Sequence, residues 1–124
     1  MILKFDFESN EPLYMQIRNQ IVVGIGEGKL KPGEKLPTIR ALAEESGINM
    51  MTVSKAYQML KQEGFIVTDR RSGAIVKKRE NTAGVSDTTL KALRISFSEL
   101  RAAGLNKQEI IDLCDKIYEE GEVK

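Results

Sequence analysis

The stretch from Leu36 to Val76, LPTIRALAEESGINMMTVSKAYQMLKQEGFIVTDRRSGAIV, constrains this chain more than any other, because two short helical patterns meet there at a glycine. Thr38 is placed to cap a first helix in which Ile39, Leu42 and Ala43 share a face, and Gly47 offers the left-handed conformation where that run stops. After a tight turn, Asn49 is placed to cap a second helix. Its Val53, Ala56, Tyr57 and Leu60 recur at i, i+3, i+4 and i+7, so one side is apolar, and Gly64 ends it. The other side carries Met50, Met51, Thr52, Ser54, Lys55 and Gln58 near the N-terminus, the end that a recognition helix presents to DNA. Phe65–Thr68 and Ala74–Val76 are then two β-prone runs, and the loop Asp69-Arg70-Arg71-Ser72-Gly73 joins them as a hairpin with a cationic tip. Such a tip suits a wing lying along phosphates.

Two amphipathic helices around a glycine turn also occur in proteins that never touch nucleic acid, so the distribution of charge matters. Net charge is only +1. Residues 37–79, however, hold eight Lys or Arg against four acids, which gives +4, whereas residues 80–124 hold six against nine, which gives −3. A basic module beside an acidic one is expected when only the first meets phosphate.

The string GKLKPGEKLPTIRALAEESGIN, followed after two residues by TVSKAYQMLKQEGFI, resembles the signature of the GntR family of bacterial transcription regulators. The upstream EPLYMQIRNQI and the short C-terminal part resemble its YtrA-like subfamily, and the likeness spans about residues 5 to 78. The resemblance implies a winged helix-turn-helix, double-stranded DNA carrying a palindromic operator as partner, a homodimer joined through its C-terminal part, and control of a neighbouring ABC-transporter operon. It also matches Arg40, one turn into the first helix of the motif, to a family arginine that reaches DNA. An ion pair with Glu44 at i+4 is the competing role for Arg40.

Thr38, Asn49 and Thr52 stand at helix starts, where a hydroxyl or amide can cap and also donate to phosphate. Ser54 and Lys55 face away from the apolar side, and Arg70, Arg71 and Gly73 make the wing. Two positions depart from the family pattern. Met50-Met51 stands where YtrA-like chains often have Pro-Asn, so a polar contact is missing and an apolar one, as to a thymine methyl, is expected in its place, and Arg71 stands where wings usually have Gly.

Upstream, residues 2–8 alternate Leu3, Phe5 and Phe7 with charged side chains and read as a half-buried strand, which either extends the hairpin or packs on the next helix. Asn10-Glu11-Pro12 reads as a helix start with Asn10 as cap; Leu13, Ile17, Ile21 and Ile25 follow four apart, and Gly28 stops the run. Downstream, Ser86 caps a helix with a seam of Leu90, Leu93, Phe97 and Leu100, and Gly104 breaks it. Asn106 and Glu109 form a capping-box pattern ahead of Ile110, Leu113, Cys114 and Ile117. A hairpin of two such helices has too little core to bury both seams, so it packs either on its own winged domain or on the same hairpin of a second chain; the resemblance favours the second, with these residues, Cys114 aside, as the dimerisation set. Cys114, the only cysteine, reads as a buried small side chain.

The expected architecture is mainly α with a small β hairpin (α+β): residues 1–79 the winged helix-turn-helix, 80–85 a linker, and 86–120 the dimerisation hairpin. No long apolar run or charged-then-apolar leader is visible, so a cytoplasmic protein with no membrane partner is expected. Histidine is absent and the carboxylate pairs lie on polar helical stretches, so no catalytic constellation, metal site or cofactor is expected. The family's effector domains are far larger than this tail, and any small-molecule effector is unknown. The competing functions are a winged-helix adaptor for another protein and an RNA-binding module.

Overall fold

The computed structural model describes residues 3–71, 73–78 and 84–121, and the chain divides into two compact units, residues 1–78 and 79–124. The first unit contains α1 (Leu13–Gly26), α2 (Ile39–Ser46), α3 (Met50–Gln62), β1 (Ile66–Asp69) and β2 (Gly73–Val76). The caps of α2 and α3 stand where the sequence places them: Thr38 Oγ1 accepts from Ala41 N at 3.0 Å and Asn49 Oδ1 from Met51 N at 2.7 Å. Gly47, between the two helices, has φ +70°, a conformation in which a β-carbon is strained.

The core forms where α1 crosses α3. Ile17 and Ile21 of α1 and Val53, Ala56 and Leu60 of α3 have no exposed surface, and Leu42, Ile66 and Val76 close the cluster from α2 and the hairpin. Burying a branched aliphatic side chain of this size is favourable by about 2 kcal/mol, so this contact dominates the unit's stability. Tyr57 adds a polar tie, its hydroxyl donating to Pro37 O at 2.7 Å just ahead of α2.

The start of α1 differs from the sequence expectation. Pro12 is the N-cap and no side chain caps the helix; Asn10 plays no such part, while Ser9 Oγ accepts from Glu11 N at 3.1 Å to turn the chain into the helix. Residues 3–6 are extended but do not form a strand. They lie on α1, where two glutamines one turn apart substitute for a neighbouring strand. Gln20 Oε1 accepts from Lys4 N at 2.9 Å and its Nε2 donates to Lys4 O at 2.6 Å. Gln16, almost wholly buried, accepts from Asp6 N and donates to both Asp6 O and Glu11 O, each at 2.9 Å. Leu3 and Phe5 thereby pack against the core, and the strap lies on α1 instead of extending the hairpin.

The hairpin pairs Ile66 with Val76 through Asp69 with Gly73, so Asp69 and Gly73 belong to the strands and the loop is shorter than the five residues read from sequence. Gly73, at φ +71°, makes the bend, and Ser72 lies outside the described residues. The free side of β2 is filled from before α2: Val76 N donates to Glu34 O and Leu36 N to Ala74 O, both at 2.9 Å, with Lys35 opposite Ile75.

The second unit holds α4 (Asp87–Ala102) and α5 (Lys107–Glu120). Ser86 caps α4 by accepting from Thr89 N, and Asn106 and Glu109 complete a reciprocal capping box on α5. The helices follow one another through a short turn at Gly104 but are not packed along their length. Among the described residues α4 has no buried side chain and α5 has only Ile110, and Cys114, expected to be buried, is exposed. The linker residues 80–83 lie outside the described residues.

Replacing Gln16 by Leu removes the side-chain partner of three part-buried backbone groups and should cost about 1–2 kcal/mol, read as a lower urea midpoint. Burial pushes the Tyr57 phenol from 10.0 up to about 12. A raised phenol stabilises the fold fully below pH 10, and that stability is lost as pH rises through about 12. Stability of the wild type should therefore fall more steeply between these values than that of Tyr57→Phe, measured by urea unfolding across the range.

Candidate nucleic-acid interface

The apolar side of α3 is consumed by the core, which leaves Met50, Met51, Lys55, Gln58 and Lys61 exposed on the other, with Thr52 and Ser54 half-buried between. The positive end of the helix dipole and the cap at Asn49 lie at the same end as the two methionines. Thr38 and Arg40 are exposed at the start of α2, the neighbouring helix of the motif. Arg40 forms no ion pair among the described residues, so the competing role with Glu44 is not taken up. At the wing, Arg70 and Arg71 are exposed, and Asp69 Oδ1 accepts from Arg71 N at 2.8 Å, which fixes the backbone at the tip.

Several of the sequence-selected groups are engaged inside the protein. The oxygen of Asn49 is used in capping, and Ser54 Oγ accepts from Gln58 Nε2 at 3.3 Å. The Lys55 ammonium, expected to point outward, stands over the Tyr14 ring, 4.0 Å from its centroid. That cation–π contact comes from α1 and was not read from the sequence, because Tyr14 has no periodicity that points to a lysine forty-one residues on.

One turn further along α1, Arg18 makes the second connection. Its Nε and Nη2 donate to the Glu63 carboxylate at 3.0 and 2.7 Å, and its guanidinium lies 5.6 Å from the centre of the Phe65 ring. The pair is partly exposed, so its worth to stability is about 1 kcal/mol or less. Its electrostatic effect is clearer: the acid at the end of α3 is neutralised from behind, and the exposed side chains of the helix itself carry only positive or no charge.

A basic recognition helix, an arginine on the preceding helix and a basic wing on one small core are the parts of a winged helix-turn-helix. The family described as bacterial regulatory proteins, gntR family, matches residues 13–76, from the first residue of α1 to the last of β2. This chain belongs to the GntR family. The HTH-type transcriptional regulator Rv1152 of Mycobacterium tuberculosis is 32% identical over 108 residues, 86% of each chain. The HTH-type transcriptional repressor YtrA of Bacillus subtilis is 40% identical over 81 residues, 65% of this chain and 62% of its own.

Among solved structures, YtrA from Sulfolobus acidocaldarius, a GntR-family transcription factor, is 40% identical with a TM-score of 0.60, over 95% of this chain and 97% of that one. A transcriptional antiterminator from Listeria monocytogenes EGD-e has a TM-score of 0.83 at 30% identity, over 100% and 97%. The DNA-binding domain of AraR in complex with operator ORR3 has a TM-score of 0.52 at 28% identity, over 61% of this chain and 92% of that one. This GntR protein is thus a YtrA-like transcription regulator with a DNA-binding winged helix, as its sequence motif implied. Its helices fall short of the length and apolarity needed to cross a membrane among the described residues.

If Arg40 and Arg71 meet the duplex, replacing either by Ala should weaken binding to a selected operator roughly tenfold at low salt. The Arg71 loss should fade as salt rises and the slope of log affinity against log salt should flatten by about one unit per wing. Fluorescence anisotropy at several salt concentrations checks both, and affinities equal to wild type would remove the assignments.

Proposed function

We propose that this GntR protein is a homodimeric repressor that binds a palindromic operator and blocks a promoter. The observation that carries the dimer is the second unit: Leu90, Leu93, Phe97 and Ile117 are each at least 40% exposed, and Ile110 is the one buried side chain among the described residues of its two helices. Two amphipathic helices whose seams are left largely open, with Leu100 and Leu113 half-buried, gain their core by meeting the same pair on another copy, which produces a two-fold assembly. A two-fold protein presents two recognition helices to two half-sites, and hence reads a palindrome with centres about 34–36 Å apart.

Support for an operator comes from the exposed basic side of α3, Arg40 and the wing, and from the likeness to AraR, whose DNA-binding domain is seen in complex with an operator. Support for repression comes from the Bacillus subtilis relative that bears the name repressor. The YtrA-like subfamily suggests an ABC-transporter operon as the target, in the cytoplasm of a bacterium. A second reading is an RNA ligand, with one structure of similar fold bearing the name transcriptional antiterminator.

Selection from a random duplex library, followed by anisotropy with duplex DNA and A-form RNA as competitors, tests the ligand. An enriched palindrome that only DNA competes away is the expected result; no enriched duplex, or displacement by RNA, overturns the operator reading. Sedimentation tests the assembly. The wild type should be a dimer at micromolar concentration and Leu93→Glu a folded monomer with operator affinity reduced more than tenfold, and a monomeric wild type would refute the dimer.

A further inference from the structure

Met50 and Met51 are the outward groups at the reading end of α3 that nothing in the protein occupies. Met50 is 48% and Met51 80% exposed, on a thirteen-residue helix whose remaining strongly exposed positions are polar. Neither packs on the core, so neither is there for stability.

Several of the polar groups around them already make contacts within the protein. Asn49 Oδ1 is bound to Met51 N at 2.7 Å, which removes the acceptor that a base-reading asparagine needs for adenine. Ser54 and Gln58 are hydrogen-bonded to each other, and the Lys55 ammonium rests on Tyr14. Thr52 is half-buried. Beside the Asn49 amide nitrogen and the Thr52 hydroxyl, the first turn of α3 thus offers a base edge two exposed thioether side chains, flexible and polarisable, with no hydrogen-bond donor of their own.

The major groove presents one apolar feature, the 5-methyl group of a pyrimidine: thymine carries it always, and cytosine when methylated. Resting on the DNA-binding reading above, we infer that Met50 and Met51 are specificity-determining residues that read pyrimidine 5-methyl groups, supplied by thymines in each half-site. The contact buries methyl against methyl and thioether, so its strength follows the apolar area removed from water and is insensitive to salt. A buried methyl of this kind is worth about a fourfold change in affinity.

The test uses the full chain and the duplex selected above. Each thymine of one half-site is replaced in turn by deoxyuridine, which removes the methyl and keeps every hydrogen bond. The wild type should bind about fourfold more weakly at one or two positions, by the same factor at low and high salt. Met51→Ala, or Met50→Ala, should already be weakened on the thymine duplex and lose nothing further at those positions, and placing 5-methylcytosine there should restore part of the wild-type affinity over unmethylated cytosine.

Uridine duplexes that bind the wild type as tightly as thymine ones, a uridine loss that persists in both alanine variants, or a selected half-site without thymine would each overturn the inference while leaving operator binding intact. Failure to select any duplex would remove the DNA-binding reading and this inference with it. Both methionines lie outside the core, so the alanine variants should unfold at the wild-type midpoint, which separates lost contacts from lost structure.

Discussion

The crossing of α1 over α3 is the contact on which the remainder of the first unit rests. A recognition helix of thirteen residues is too short to be stable alone in water. Its shape and direction are imposed by Ile17 and Ile21 pressing on Val53, Ala56 and Leu60, all without exposed surface. Each further attachment fixes a degree of freedom that this apolar contact leaves open. Tyr57 ties α3 to the chain just before α2, Arg18 holds its C-terminal end through Glu63, and Tyr14 engages its N-terminal half through Lys55. Side chains of α1, which lies outside the helix-turn-helix, thus reach both ends of the helix that reads.

The wing depends on the same core by a different route. Ile66 and Val76 are buried in it, and the backbone of residues 34–36 bridges to β2 of the two-stranded hairpin. A hairpin of two four-residue strands is marginal by itself in water. Anchoring one side of it leaves the tip, with Arg70 and Arg71, projecting from a fixed base.

Much of this was legible in the sequence, for reasons that particular residues make clear. Helix caps are local: Thr38, Asn49, Ser86 and the Asn106–Glu109 pair act within four positions, and each caps the helix it precedes. The apolar periodicity of α3 is likewise read within one turn or two. What escaped was non-local. Gln16 and Gln20 are ordinary polar residues of a helix until residues 3–6 are laid against them, and nothing in the spacing of Leu3, Phe5 and Phe7 distinguishes a strand from a strap held by side-chain amides. Asn10 looks like a cap, but Pro12 begins the helix without one, because Ser9 and Gln16 already turn and hold the segment before it. The exposure of Cys114 has the same origin: its helical face is apolar, yet among the described residues of its unit only Ile110 is buried. The candidate DNA-facing residues were chosen from sequence by their outward phase, and Lys55 shows the limit of that method, since the phase of a residue on its helix says nothing of a ring that approaches from another.

The two sides of α3 are separable to an unusual degree. The side chains that bury the helix point inward, and Met50, Met51 and Gln58, which point outward, bear no part of the core. Substitution at these outward positions is therefore close to free of folding cost, whereas substitution at Ala56 or Leu60 is not. A scaffold built in this way can diversify: a lineage of such regulators can exchange the letters it recognises one residue at a time, each intermediate still folded, and acquire new target genes without reinventing the domain that finds them.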